Sequence, residues 1–381
     1  MRILQVLTYY RPHISGLTIY VERLSRGLVQ AGHSVTLLTS QYDASLPLCE
    51  ERDGVQIVRA PVMFRISKGV IMPAFGQLAR RLMRDHDVVH MHLPQFDGAG
   101  LAINARVFHK PSVLTYHCDI QLPPGFLNGI TSPAIHTADH IAGRLSDRLV
   151  AYTDDYAQHS PFLSHYLHKL TVIPPPVDID IPTPQCIADF AQKWQINAHP
   201  VIGMVARLAT EKGVEILVDA LQIVRQTIPE ARVLFAGPYK NVLGEEPYAQ
   251  RLHSRFAQIG SHWVFTGSLH GQELAALYSN CDVTVLPSLN STESFGLVQV
   301  ESMLCGTPSI CSNLPGVRVP VQTTGMGLVT PIGDAPALAQ AIVQVVQNRD
   351  RYVRPRSEIG QFYSTSKSVR EYEALYTELA S

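Results

Sequence analysis

Short apolar runs alternate with longer segments of helical periodicity from one end of the chain to the other. In the first half the runs are Ile3–Leu7, Ser34–Thr39, Val55–Ala60, Val88–His92, Ser112–Tyr116, Arg148–Tyr152 and Leu170–Ile173. In the second half they are Val201–Ala206, Arg232–Ala236, His262–Thr266, Asp282–Leu286, Ser309–Ser312 and Gly327–Val329. Continuous apolar runs separated by helical segments predict parallel sheets covered by helices. Asp282-Val-Thr-Val-Leu-Pro287 is the plainest case. It reads as a buried strand, and Phe295–Leu304 after it reads as a helix closed by Gly306 and Pro308. Ser368–Leu379 carries Tyr372, Leu375, Tyr376 and Leu379 at helical spacing, and no strand follows. That predicts a helix returning to the first domain.

Between the two sets of strands lies Ile173-Pro-Pro-Pro-Val-Asp178. Three prolines stiffen the backbone and remove its donors, which marks a connector. The expected architecture is α/β, with two Rossmann-like parallel-sheet domains facing a central cleft. Residues 1–175, with the returning helix at about 366–381, form one domain, and 176–365 form the other. A chain of 381 residues is long enough for two cores. Open sheets of this kind bind ligands beyond the carboxyl ends of their strands, so the loops that follow strands are where chemistry is expected.

Composition narrows the function. The chain is 46% hydrophobic and 17% charged with a net charge of −1, which argues against a dedicated nucleic-acid binder. Six cysteines are scattered without a Cys-x-x-Cys pair, several inside apolar runs, which suits a reducing, cytoplasmic compartment and no structural zinc. The sixteen histidines form no convincing metal motif. The N-terminus reads as a strand start rather than a signal peptide, and no run reaches the ~18 apolar residues of a membrane span. A soluble or peripheral protein is expected.

Glu293 and Glu301 flank a Gly-containing turn into the predicted helix. Eight residues at helical rise span at most ~12 Å, so the two acids are too far apart to share a proton or a metal. They suit two parts of one extended, hydroxyl-rich ligand, with the helix-start amides near Gly296 and Leu297 facing an anion. The alternative is an acid favouring a helix N-terminus plus an ordinary helical glutamate. Arg207 and Lys212 follow the strand Val201–Ala206 and suit a diphosphate. Their alternative is a surface ion pair with Glu211 or Glu215. Gly16 precedes a helix after the first strand and permits close approach of a phosphate, although this is no Gly-x-Gly-x-x-Gly and a nicotinamide cofactor is discounted. His117 and Asp119 follow Ser112–Tyr116, placed for sugar or acceptor hydroxyls or for a structural hydrogen bond. His90 and His92 share one face of their strand. Phe64 to Arg84 mixes apolar residues with Arg65, Lys68, Arg80, Arg81 and Arg84, and the first 170 residues carry a net +3. Such a segment fits either an anionic membrane face or an amphipathic helix packed on its own sheet.

Ala206-Arg-Leu-Ala-Thr-Glu-Lys-Gly213, Val264-Phe-Thr-Gly-Ser-Leu269, Leu274-Ala-Ala-Leu-Tyr278 and the Glu293/Glu301 segment through Gly306-Thr-Pro308 together resemble the retaining, nucleotide-sugar-dependent glycosyltransferases of the GT-B fold. The likeness covers nearly the whole chain. It implies that Arg207 and Lys212 hold the donor diphosphate, Glu301 the ribose and Glu293 the transferred sugar. Phe295, Gly296 and Leu297 would present amides, and Val264 to Leu269 would border the base. Gly16 would approach the phosphates and His117 would lie near the sugar. The implied reaction retains configuration without a metal or cofactor, the nucleotide sugar, commonly UDP-linked, being a substrate. Acceptors of the family are sugars, lipid-linked carriers or small molecules in glycoconjugate synthesis, at times on the inner face of a membrane. Two positions depart from the pattern: Ser15-Gly16 where paired glycines are usual, and Val319 where a glutamate is common. The alternatives sharing a donor site are a nucleotide-sugar epimerase or hydrolase and a non-catalytic binding subunit.

Overall fold

The computed structural model describes residues 1–66, 69–120, 126–196 and 200–381. The chain divides into two compact units, Met1–Pro176 with Tyr363–Ser381, and Val177–Phe362. The first unit contains β1 (Arg2–Val6), β2 (Ser34–Gln41), β3 (Cys49–Arg52), β4 (Val55–Pro61), β5 (Phe64–Ile66), β6 (Gly69–Ile71), β7 (Val88–Leu93), β8 (Ser112–Tyr116), β9 (Arg148–Ala151) and β10 (Leu170–Val172). Eight of these form a sheet in the order β10-β9-β8-β7-β1-β2-β4-β3. It is parallel throughout except at the edge, where β3 runs antiparallel to β4. The sequence pattern did not predict β3, β5 or β6.

The second unit contains β11 (Val201–Val205), β12 (Arg232–Ala236), β13 (Trp263–Gly267), β14 (Val283–Leu286), β15 (Ser309–Ser312) and β16 (Gly327–Thr330). They form one parallel sheet in the order β13-β12-β11-β14-β15-β16. Helices cover these sheets, so the central strands are buried on both faces and read as unbroken apolar runs. All six residues of β7 are buried, the histidines included.

The helix Thr365–Ala380 returns to the first unit. Ser364 caps it by accepting from the Lys367 amide, and Ser368 donates to the Pro174 carbonyl at 2.7 Å. Its buried face delivers Tyr372, Leu375 and Tyr376 into the first unit's core. The Tyr372 hydroxyl meets those of Tyr20 at 2.6 Å and Thr115 at 2.7 Å. That of Tyr376 meets His90 Nδ1 at 2.7 Å.

The 64–84 segment resolves into the β5–β6 hairpin and the helix Phe75–Asp85. Phe75, Ala79 and Met83 of that helix are buried, while Arg80, Arg81 and Arg84 are exposed. The helix therefore packs its apolar stripe internally. Just before it, Met63 and Phe64 remain 65% and 46% exposed. Lys68 lies outside the described residues. Among the described residues no helix is long and apolar enough to cross a membrane.

Candidate functional site

In the second unit the strands after β11 run outward to one side, β12 then β13, while β14 to β16 run to the other. The order therefore reverses between β11 and β14. A crevice opens at such a point, beyond the carboxyl ends of the two strands. Arg207 leaves the end of β11, and Lys212 ends the short 3-10 turn Thr210–Lys212. Glu293 lies in the loop that leaves β14. The Lys212 ammonium donates to Glu293 Oε2 at 2.6 Å, with the two side chains 19% and 17% exposed. Residues 81 apart in sequence are thus joined at the switch point.

Gly213 makes this contact possible. Its φ of 63° is left-handed, and a Cβ there would stand 2.1 Å from the Pro287 carbonyl oxygen. Only glycine allows the Lys212 turn to approach the end of β14 so closely. The Leu289 amide donates to the Glu211 carbonyl at 2.9 Å, tying the same two loops again. Arg207 pairs with the Glu211 carboxylate, the surface ion pair given above as the alternative to phosphate binding. Burial pushes the Glu211 carboxyl upward, but the Arg207 guanidinium and hydrogen bonds outweigh it, leaving the group below its ordinary range. Glu215, the other local candidate, accepts from Tyr248 instead.

The helix after β14 spans Leu297–Leu304, two residues shorter at its start than its periodicity predicts, because Gly296 takes a left-handed φ of 78°. A Cβ on Gly296 would lie 2.3 Å from Leu286 Cδ2. Phe295 is buried. Glu301 lies inside the helix, 4% exposed, and accepts from the Tyr278 hydroxyl at 3.2 Å. Val264 and Leu269 are on and just past β13, two strands from β11, with Leu269 buried.

In the first unit the order reverses between β1 and β7. Gly16 begins the helix Gly16–Gln30 after β1, with Ser15 as its cap, and among the described residues nothing lies within 4 Å of the place a Cβ would take. His117 follows β8 and is buried. Its Nε2 faces His92 Nδ1 at 3.0 Å and its Nδ1 the Tyr152 hydroxyl. His92 Nε2 in turn faces Gln5 Oε1 at 2.9 Å, and the His90 and His92 rings lie 4.2 Å apart. Burial lowers His117 to about 3, so the ring is neutral at ordinary pH. Asp119 is also buried. Its Oδ1 accepts from Tyr116 at 3.2 Å and from Ser160 at 2.7 Å, while Oδ2 has no hydrogen-bond partner among the described residues.

Arg207, Lys212, Glu293 and the helix start are therefore collected on one end of one sheet, with Glu301 one turn deeper and Val264 and Leu269 at the flank. Gly16, His117 and Asp119 belong to the other unit. Sequence reasoning missed several supporting groups. Gln299 donates to the Phe295 and Val317 carbonyls, both at 3.0 Å, and braces the helix start. Glu245 accepts from the Thr210 amide at 3.0 Å and its hydroxyl at 2.9 Å, holding the turn that ends at Lys212. Tyr278 ends the Leu274–Tyr278 motif, and nothing in that pattern shows that its hydroxyl reaches Glu301. A polar Gln299 among the apolar residues at the start of this helix was the one signal available beforehand.

Residues 14–181 match the family described as Glycosyltransferase Family 4, and residues 187–361 match Glycosyl transferases group 1. The chain is 27% identical over 395 residues to a phosphatidyl-myo-inositol mannosyltransferase of Mycobacterium leprae, covering 99% of this chain and 98% of that one. It is 28% identical over 367 residues to a GDP-mannose-dependent alpha-mannosyltransferase of Mycolicibacterium smegmatis, covering 92% and 90%. Its fold is similar to that of Anabaena HepE, solved in complex with UDP, at a TM-score of 0.81, 20% identity and full coverage of both chains.

Proposed function

Because the chain belongs to the glycosyltransferases of the GT-B fold, we propose that it moves a hexosyl group from a nucleoside diphosphate sugar to an acceptor hydroxyl with retention of configuration. The observation that most supports this is the meeting of Lys212 and Glu293 at the β11/β14 switch point. A cation for phosphate and a carboxylate for hydroxyls stand side by side, next to a helix N-terminus. Uridine and guanosine donors both have a precedent, UDP in the HepE complex and GDP-mannose in the mannosyltransferase.

The chemistry follows from the charges. As the bond from the anomeric carbon to the diphosphate oxygen breaks, negative charge grows on the leaving group. Lys212, Arg207 and the first amides of the helix Leu297–Leu304 oppose that charge, an effect of about several kcal/mol in such sites. The acceptor oxygen forms its bond to the same carbon from the leaving-group side, and its proton passes to the departing phosphate oxygen. Glu293 orients the sugar through its hydroxyls and Glu301 the ribose. We place that acceptor among lipid-linked glycoconjugates, since Met63 and Phe64 present apolar surface beside Arg65. Co-flotation with anionic vesicles tests this, and no binding at low salt overturns it.

The main test begins with a thermal-shift panel of UDP- and GDP-hexoses, where a ligand at 100 times its dissociation constant adds roughly 2.7 kcal/mol. The bound donor is then assayed for acceptor-dependent release of nucleoside diphosphate. Lys212→Ala and Glu293→Ala, folded by circular dichroism, are expected to lose transfer. Full activity in both overturns the assignment. Nucleotide release with donor alone points to an epimerase or hydrolase, and binding without turnover points to a binding subunit.

A further inference from the structure

The Lys212–Glu293 contact raises a question that the donor assignment alone leaves open. The cation that is to meet the diphosphate is already matched by a carboxylate at 2.6 Å. The two loops that carry these side chains are held close together. The Lys212 turn is held by left-handed Gly213 against Pro287 and by the Thr210–Glu245 bonds, while the lysine's own rotatable bonds leave its ammonium able to turn. Glu293 is held by a turn in which its own amide donates to the Asn290 carbonyl at 3.2 Å, while Thr292 donates to Asn290 Oδ1 through its amide at 3.2 Å and its hydroxyl at 2.6 Å. A diphosphate bound at Lys212 therefore lies close to a fixed negative charge. Like charges in a partly buried site repel at a cost that water would otherwise screen.

We propose that Glu293 is a specificity-determining residue that distinguishes a sugar-bearing donor from the bare nucleoside diphosphate. This rests on the donor-site reading given above. With a nucleotide sugar bound, hydroxyl groups of the sugar donate to Glu293 and replace the bond it loses when Lys212 turns to the phosphates. With the nucleoside diphosphate alone, nothing compensates Glu293, and it competes with the diphosphate for Lys212 while repelling it. The same carboxylate that orients the sugar thus weakens retention of the spent nucleotide once the sugar has been transferred. Product release is built into the recognition of substrate.

The test is isothermal titration of the full chain with UDP and with GDP, each alone, and with UDP-glucose and GDP-mannose. Glu293→Gln keeps the shape and removes the charge. It is expected to bind the preferred nucleoside diphosphate about tenfold more tightly than the wild type. The margin by which the nucleotide sugar is preferred over its diphosphate is expected to shrink. Glu293→Ala, which also removes the charge, is expected to shift the diphosphate in the same direction and covers the case in which Glu293→Gln does not fold. Glu215→Gln changes the net charge equally but sits on Tyr248, and is expected to leave nucleotide affinity unchanged. Equal or weaker diphosphate binding by both Glu293 variants overturns the inference and leaves the donor-site reading standing. A similar tightening in Glu215→Gln also overturns it, because the effect would then be one of overall charge. Failure of every folded variant and of the wild type to bind any of the four nucleotides removes the donor-site reading itself, and the inference with it.

Discussion

Replacing Tyr372 by phenylalanine tests how the returning helix is fastened to the first unit. The ring stays and one oxygen goes. That oxygen lies within 2.6 Å of the Tyr20 hydroxyl and 2.7 Å of Thr115 Oγ1, and both tyrosines are wholly buried. Thr115 keeps a second partner, His90 Nε2 at 2.7 Å, so its loss is near the net value of a hydrogen bond, about 1 kcal/mol. The Tyr20 hydroxyl loses its partner inside the core, at a desolvation cost of about 1–3 kcal/mol. The expected destabilisation is therefore about 2–4 kcal/mol, a large share of the stability of a domain. Both tryptophans, Trp194 and Trp263, lie in the second unit, so tryptophan fluorescence does not report the change. Urea unfolding followed by far-ultraviolet circular dichroism gives the size, and hydrogen exchange of residues 88–93, 112–116 and 365–380 gives the location. The double variant Tyr20→Phe, Tyr372→Phe removes both hydroxyls and is expected to cost less than the sum of the two single changes. Additive single effects, or a loss below about 0.5 kcal/mol in Tyr372→Phe, refute the reasoning.

Acid affects the first unit through opposing groups. His90 and His117 are each lowered to about 3, chiefly by burial, so the unfolded chain takes up their protons first. Each subtracts about 1.4 kcal/mol between pH 7.5 and 5.5. Asp139, raised to about 7 by burial, holds its proton in the folded state and adds stability over the same interval. Urea midpoints at the two pH values are expected to show a steeper acid loss in Asp139→Asn and a shallower one in His90→Asn, and the reverse order contradicts both assignments. Gly213→Ala forces a Cβ against the Pro287 carbonyl in a left-handed conformation, so it should cost about 1–3 kcal/mol and weaken the nucleotide thermal shift. A stable variant with full nucleotide affinity counts against the tight-turn account. Transfer is expected to survive EDTA, the leaving charge being met by Arg207 and Lys212, and a loss restored by magnesium defeats that view.

The central strands were legible in the sequence because burial on both faces leaves an uninterrupted apolar run, as in Val201–Val205 and Val283–Leu286. The edge strand Cys49–Arg52 was not, because its Cys-Glu-Glu-Arg sequence is mostly exposed and its pairing is antiparallel. Arg207, Lys212, Glu293 and Glu301 could be chosen as candidates from their positions after strands. Their partners could not. Local reasoning offered Glu211 and Glu215 to the two cations, and only the strand order brings Glu293 to Lys212. His90 and His92 were legible as neighbours on one face of a strand, but the hydroxyls that satisfy His90 come from Thr115 and from Tyr376 on the returning helix. Periodicity reports which face is buried and says nothing of what the face meets.

The two-segment make-up of the first unit also sets a timetable for synthesis. Residues 365–380 emerge from the ribosome only after the whole of 177–362, which at about 5–20 residues per second means a wait of about 10–40 s. During that interval Tyr20, Thr115 and His90 have no hydroxyls from Tyr372 and Tyr376 to meet. The nascent first unit must persist half-assembled, with a greasy groove open to chaperones, while the later-made unit is free to finish before it.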